Sequence, residues 1–182
     1  MLKKELRKLL LGKRNQLSVD YRKEASKKIM ETIETMKEYQ QAQKVFVYIN
    51  FDSEVETLDW IAEQLATKEI YVPKIIQKEM KLIRLHSIED LTTGYFGILE
   101  PKSNEGYEGA VDFVITPSIA FDKMGYRLGY GKGYYDRYFT NSVYGVSVGV
   151  SFAELLQEAV IKEEHDQAVN YVVTENEVLT IN

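Results

Sequence analysis

Three short runs constrain the fold of this chain more than anything else in it: KVFVYIN at 44–50, VDFVIT at 111–116 and YGVSVGV at 144–150. Each is rich in β-branched and aromatic residues and nearly free of charge. A strand without a polar face must be covered on both sides, as inside a parallel sheet. The segments between these runs repeat apolar residues at helical spacing. Leu2, Leu6, Leu9 and Leu10 share one face of a first helix. Ser18 and Asp20 offer a cap for a second, carrying Ala25, Ile29, Ile33 and Met36, and Leu58, Ile61, Ala62 and Leu65 mark a third. Residues 70–75, 80–86 and 170–176 read as further strands, 134–139 and 153–160 as short helices, and 92–109 as a long loop. This order predicts one α/β domain over 1–182, with a mainly parallel central sheet flanked by helices. Ligands of such sheets bind beyond the carboxyl ends of the strands. The segments after Asn50 and Thr116 are therefore the expected walls of a site.

Composition removes several chemistries. The chain has no cysteine, which excludes disulfides, thiolate metal sites and a cysteine nucleophile. Its two histidines, His86 and His165, cannot make a three-histidine zinc site. A net charge of −5 argues against a nucleic-acid partner. No apolar run reaches the ~18 residues of a membrane span. The opening MLKKELRKLL alternates charge with leucine and does not read as a secretory signal. A cytosolic location is expected.

Polar chemistry concentrates near one loop. Five of the thirteen tyrosines (Tyr126, Tyr130, Tyr134, Tyr135 and Tyr138) fall within 126–138. The same window holds Gly129, Gly131 and Gly133, flanked by Arg127 and Lys132 and followed by Asp136. Alternating glycines let backbone N–H groups crowd around an anion, and the loop runs into a helix N-terminus. Asp136 stands where a carboxylate could hold Mg²⁺ against phosphate oxygens. The spacing matches neither the P-loop nor the dinucleotide fingerprint. The alternative is a flexible turn with packed tyrosines.

Three other groups each carry two readings. Asp52, Glu54 and Glu56, after Asn50, could bind a cation or the N–H groups of a heterocycle, or be solvated, with Thr57 as a helix cap. Lys3, Lys4 and Arg7 could reach a phosphate tail or form a solvated face. His165-Asp166 could be a base and its orienting partner, or a turn.

The run TPSIAFDKMGYRLGYGKGYYDRYF at 116–139 resembles the signature of the 5-formyltetrahydrofolate cyclo-ligases, also called methenyltetrahydrofolate synthetases. The correspondence lies in Pro117, Phe121-Asp122, Gly125, Arg127-Leu128-Gly129, Gly131, Gly133 and Tyr134-Tyr135-Asp136. It extends to the basic first helix, Glu54-x-Glu56-Thr57, Tyr71-Val72-Pro73 and Val172-Val173-Thr174-Glu175. The resemblance implies an α/β fold of the kind found in sugar-phosphate isomerases and CoA-transferases. It implies a monomer whose substrates are ATP and 5-formyltetrahydrofolate, with Mg²⁺ as cofactor. ATP would contact Lys3, Lys4, Arg7 and the run Arg127, Leu128, Gly129, Tyr130, Gly131, Lys132, Gly133, Tyr134 and Tyr135. Folate would meet Ile49, Glu54 and residues 130–134. Lys132 and Arg127 would carry the catalytic charge. Asp136 would hold the metal. Some members place a second metal-linked aspartate just before the final strand; here Asn170 stands there, and an amide oxygen is a weaker ligand. Two rivals stay open: an isomerase or transferase that needs no ATP, and a non-catalytic folate- or nucleotide-binding module.

Overall fold

A computed structural model describes residues 1–182. In chain order, α1 spans Lys3–Gln16, α2 Val19–Thr35, α3 Lys37–Gln41, β1 Lys44–Val47, α4 Leu58–Gln64, β2 Glu69–Ile76 and β3 Glu79–Leu85. Next come β4 (Leu91–Thr93), β5 (Leu99–Pro101), β6 (Gly106–Tyr107), β7 (Val111–Thr116), β8 (Ala120–Phe121) and β9 (Arg127–Leu128). The chain closes with α5 (Tyr134–Asn141), β10 (Tyr144–Val150), β11 (Tyr171–Val173) and β12 (Val178–Thr180). The sheet order is β12-β11-β10-β7-β1-β2-β3-β6. Strands β11, β10, β7, β1 and β2 run parallel, while β12, β3 and β6 add antiparallel edges.

Alternation along the central strands builds two cores. Val45, Val47, Phe113, Ile115, Val148 and Val150 face a cluster completed by Ile29 and Ile33 of α2 and Trp60 and Ile61 of α4. Phe46, Tyr71, Val114 and Val172 face the other way, against Tyr138 and Phe139 of α5. Each fully buried Phe, Ile or Val contributes roughly 1.5–3 kcal/mol relative to exposure. The doubly apolar runs thus become strands covered on both faces, as their composition requires.

Four expectations change. The run at 44–50 leaves the ladder after Val47, because the Tyr48 carbonyl accepts the Thr57 hydroxyl proton at 2.7 Å instead of pairing with a neighbouring strand. Thr57 stands at the N-cap of α4, but the capping oxygen comes from Asn50: its Oδ1 accepts from the backbone of Thr57 at 3.0 Å and Leu58 at 3.1 Å. Residues 92–109 are not one loop; they contain most of the β4–β5 hairpin and edge strand β6, whose few residues carry little periodicity. Residues 153–160 form only a 3₁₀ turn at Ala153–Leu155. The leucine face of α1 also differs. Leu2 and Leu9 are exposed, and the buried residues of the helix are Leu10 and Arg14.

Candidate functional site

The hairpin β8–β9 delivers the glycine loop. Asp122, nearly sealed, holds its turn: Oδ1 accepts from the backbone of Met124 and Tyr126, each at 2.9 Å, and Oδ2 accepts from Val160 at 2.9 Å. That turn places Arg127 on β9 and the loop directly after it. Gly131 has φ +97° and Gly133 φ +69°, left-handed conformations that cost a side-chain-bearing residue about 1–2 kcal/mol. Between Gly129 and Asp136 no backbone N–H donates to another protein group, and the first helical bond of α5 comes from Arg137. A run of unpaired donors at a helix N-terminus is a physical definition of an anion cradle.

The loop forms one wall of a cleft of about 690 Å³. Helix α1 supplies a second wall with Lys3 and Arg7, α5 a third with Arg137 and Thr140, and the segment Glu163–Asp166 a fourth. Arg7 Nε donates to the Gly129 carbonyl at 2.8 Å, tying α1 to the loop. Lys3 Nζ bridges Glu163 at 3.3 Å and Asp166 at 3.2 Å. Lys132 is exposed, and its ammonium has no hydrogen bond or ion pair within the chain. The cleft thus combines unpaired backbone donors, a free ammonium and flanking guanidinium groups, a set suited to phosphate.

Arg127 and Asp136 are bound to each other. Arg127 Nη2 lies 2.5 Å from Asp136 Oδ1, Nη1 donates to the Gln167 carbonyl at 2.9 Å, and the Gln167 N–H returns to Oδ1 at 3.0 Å. Burial pulls the guanidinium down from its ordinary value, while Asp136 opposes that shift. Asp136 Oδ2 carries no hydrogen bond. One free carboxylate oxygen beside an anion cradle suits Mg²⁺, which keeps several waters and takes one or two carboxylates plus phosphates. Nothing near it forms an all-protein cage, since no three His, Cys, Asp or Glu side chains are arranged to hold a metal ion. Asn170 lies outside the cleft lining: its Oδ1 accepts from the Ser147 backbone at 2.8 Å and from the Ser147 hydroxyl at 3.1 Å.

The tyrosines separate by role. Tyr135 stacks on Phe46 at 5.9 Å and Tyr138 meets Phe46 edge-on at 5.2 Å, so both pack against the sheet. Tyr134 lies beneath Arg137. The Tyr130 ring is half exposed; its hydroxyl accepts from Arg14 Nη2 at 2.8 Å and donates to Glu54 Oε2 at a long 3.3 Å. Burial of that hydroxyl, with Glu54 beside it, pushes Tyr130 up to about 12.

Not every expected residue lines the cleft. Lys4 is exposed and points elsewhere. Ile49 and Glu54 are buried outside the cleft lining, Glu54 in contact with the Tyr130 hydroxyl. His165 sits at the rim with an exposed ring near Glu163 and Asp166, and faces no nucleophile. Sequence reasoning missed Arg14 and Arg137. Arg14 had a signal: it follows Arg7 by two helical turns, so Lys3, Arg7 and Arg14 share a face of α1.

A model of the 5-formyltetrahydrofolate cyclo-ligase family matches residues 1–175. The chain belongs to this family. A solved 5,10-methenyltetrahydrofolate synthetase from Aquifex aeolicus is 39% identical, with a TM-score of 0.90, covering 100% of this chain and 94% of that one. The 5-formyltetrahydrofolate cyclo-ligase of Escherichia coli strain K12 is 33% identical over 147 residues, 75% of this chain and 80% of its own. A synthetase structure from Mycoplasma pneumoniae, at 23% identity and TM-score 0.77, covers 96% of this chain and 99% of its own and shares the fold. This cyclo-ligase family member is therefore an enzyme with 5,10-methenyltetrahydrofolate synthetase activity. No helix is long and apolar enough to cross a membrane.

Proposed function

We propose that the reaction is driven by ATP: 5-formyltetrahydrofolate and ATP give 5,10-methenyltetrahydrofolate, ADP and phosphate, in the cytosol and by a single copy of the chain. The observation that carries the ATP reading is the unpaired run of N–H groups from Gly129 to Asp136 beside Lys132 and Arg7.

The chemistry explains the residue types. A formamide oxygen is a poor leaving group. Attack of that oxygen on the γ-phosphorus breaks the bond to ADP and leaves an electrophilic carbon bearing a phosphate ester. N10 then attacks this carbon and gives up its proton, the C–O bond breaks, and phosphate departs carrying that proton. The ring closes with no protein nucleophile, so the lack of cysteine is no handicap. The chain's task is to hold two substrates in line and to neutralise phosphate charge. The loop amides, Lys132 and Arg7 do the second. Arg127 acts by fixing Asp136 and the start of α5. Asp136 Oδ2 would hold Mg²⁺, which when bound would supply positive charge to the reaction. Tyr130 joins the phosphate side to the buried Glu54, which accepts from the pterin N–H groups, with Ile49 beside it.

The test is the rise in methenyltetrahydrofolate absorbance, with ADP measured in parallel, with and without ATP and Mg²⁺. The proposal expects one ADP per product formed. Product formation without ATP would overturn it, and so would ligand binding with no ADP release.

A further inference from the structure

Arg14 is the enclosed cation of α1, only 2% exposed, and it does not reach the cleft. A buried guanidinium is costly unless its N–H groups find partners. Nε donates to the Ser53 hydroxyl at 2.9 Å, Nη1 to the Ser118 carbonyl at 3.2 Å and Nη2 to the Tyr130 hydroxyl at 2.8 Å. These acceptors lie on three segments: the turn after β1, the segment after β7 and the glycine loop. No carboxylate lies within ion-pair distance of Arg14. Its nearest route to one runs through the Tyr130 hydroxyl, which donates to Glu54. Glu54 Oε1 accepts from the Phe51 backbone at 2.7 Å, so the carboxylate is clamped from both ends.

We infer that Arg14 is a positioning residue for the folate side of the reaction, acting through the Tyr130 hydroxyl and the Ser53 turn to fix Glu54 against the glycine loop. This rests on the reading of Glu54 as a pterin contact. The electrostatics agree with the geometry. Burial pushes the Glu54 carboxyl above its ordinary value; the Phe51 N–H, Arg14 and the Tyr130 hydroxyl pull it back, and Asp52 adds to the rise. Tyr48 and Tyr135 are the other titratable groups facing it. Without the Arg14 charge the carboxyl protonates at higher pH, so the folate side loses its acceptor sooner on the acid side.

The experiment measures KM and kcat for folate and ATP separately, across pH, in Tyr130→Phe, Arg14→Gln, Arg14→Lys and Glu54→Gln, with melting temperatures. Loss of a hydrogen bond to a charged group is about tenfold. Tyr130→Phe and Arg14→Gln are expected to raise the folate KM by about that factor, to move the acid limb of kcat/KM for folate upward, and to leave the ATP KM within about twofold. Arg14→Lys keeps the charge and is expected to keep the acid limb in place, with a smaller rise in KM. Tyr130→Phe leaves the other two Arg14 contacts intact, so it carries the test if Arg14→Gln fails to fold. If Glu54→Gln raises the folate KM while Tyr130→Phe and Arg14→Lys behave as wild type in folate KM and pH profile, Arg14 only packs and the inference is overturned. If Glu54→Gln leaves the folate KM unchanged, the pocket reading falls, and the inference with it.

Discussion

Arg127 and Asp136 form a 2.5 Å ion pair in which the arginine side chain is 6% exposed and the aspartate 19%. The pair closes the glycine loop on itself, because one partner precedes the loop and the other opens α5. Two residues that looked like independent phosphate and metal ligands are one structural unit, with a single carboxylate oxygen left over.

Deleting one member of an enclosed pair leaves the other charge uncompensated, at a cost of about 3–5 kcal/mol. Asp136→Ala is expected to lose about 3 kcal/mol in urea unfolding, together with its turnover. The double variant Arg127→Met with Asp136→Leu recovers most of the stability and none of the turnover. A double variant as unstable as the single one would show that the pair is not what holds the loop.

Lys132 has no partner in the chain, so its removal costs the fold little. Removing a preorganised charge that meets the developing phosphate typically lowers kcat by ~10²–10³. Steady-state kinetics of Lys132→Ala are expected to show that drop with the folate KM nearly unchanged. Wild-type turnover would remove Lys132 from the reaction.

Gly129 differs from the two glycines after it. A Cβ there meets nothing within 4 Å, and its φ is not positive. Gly129→Ala is therefore expected to keep the melting temperature and to raise the ATP KM, since the added methyl occupies only space that a ligand would use. Unchanged ATP affinity would take its N–H out of the cradle.

Lys3 is engaged by carboxylates that occupy the position a phosphate would want. Burial pushes Asp166 up, but the Glu163 backbone N–H and the Lys3 ammonium outweigh it, and the carboxyl sits below its ordinary value. A lowered carboxylate stabilises the fold above the ordinary aspartate value of ~3.9 and loses that contribution as pH falls through the lowered one. At neutral pH the contact is simply an ion pair, screened by salt. Asp166→Asn is expected to lower the ATP KM several-fold, with a stronger dependence on ionic strength than wild type. A raised KM would mean that Asp166 holds Lys3 in place for ATP instead of competing with it.

The sheet was readable because Val45, Phe46, Val47 and Val114 leave no polar face to expose, and only a covered strand tolerates that. The short edge elements were not: Gly106–Tyr107 and Arg127–Leu128 are too brief to show a period, and tertiary pairing alone makes them strands. The loop of unpaired N–H groups was legible in its glycines. The burial of Glu54 beside the Tyr130 hydroxyl was not, because it depends on Arg14 crossing from a helix that composition presents as an ordinary solvated one. Asn170 is a different case. The resemblance offers it as a weaker second metal ligand, while its side chain closes the junction with β10 by bonding Ser147.

Helix α1 brings Lys3, Arg7 and Arg14 to bear on four different segments, and those polar contacts fasten it together with Leu10, Leu6 and Leu11 packed on the core. Fraying of this first helix and opening of the cleft are consequently a single event. Nucleotide that engages Lys3 and Arg7 is expected to slow hydrogen exchange along α1 as strongly as in the loop itself, and a protease that clips the helix acts as an inhibitor of an enzyme whose sheet is untouched.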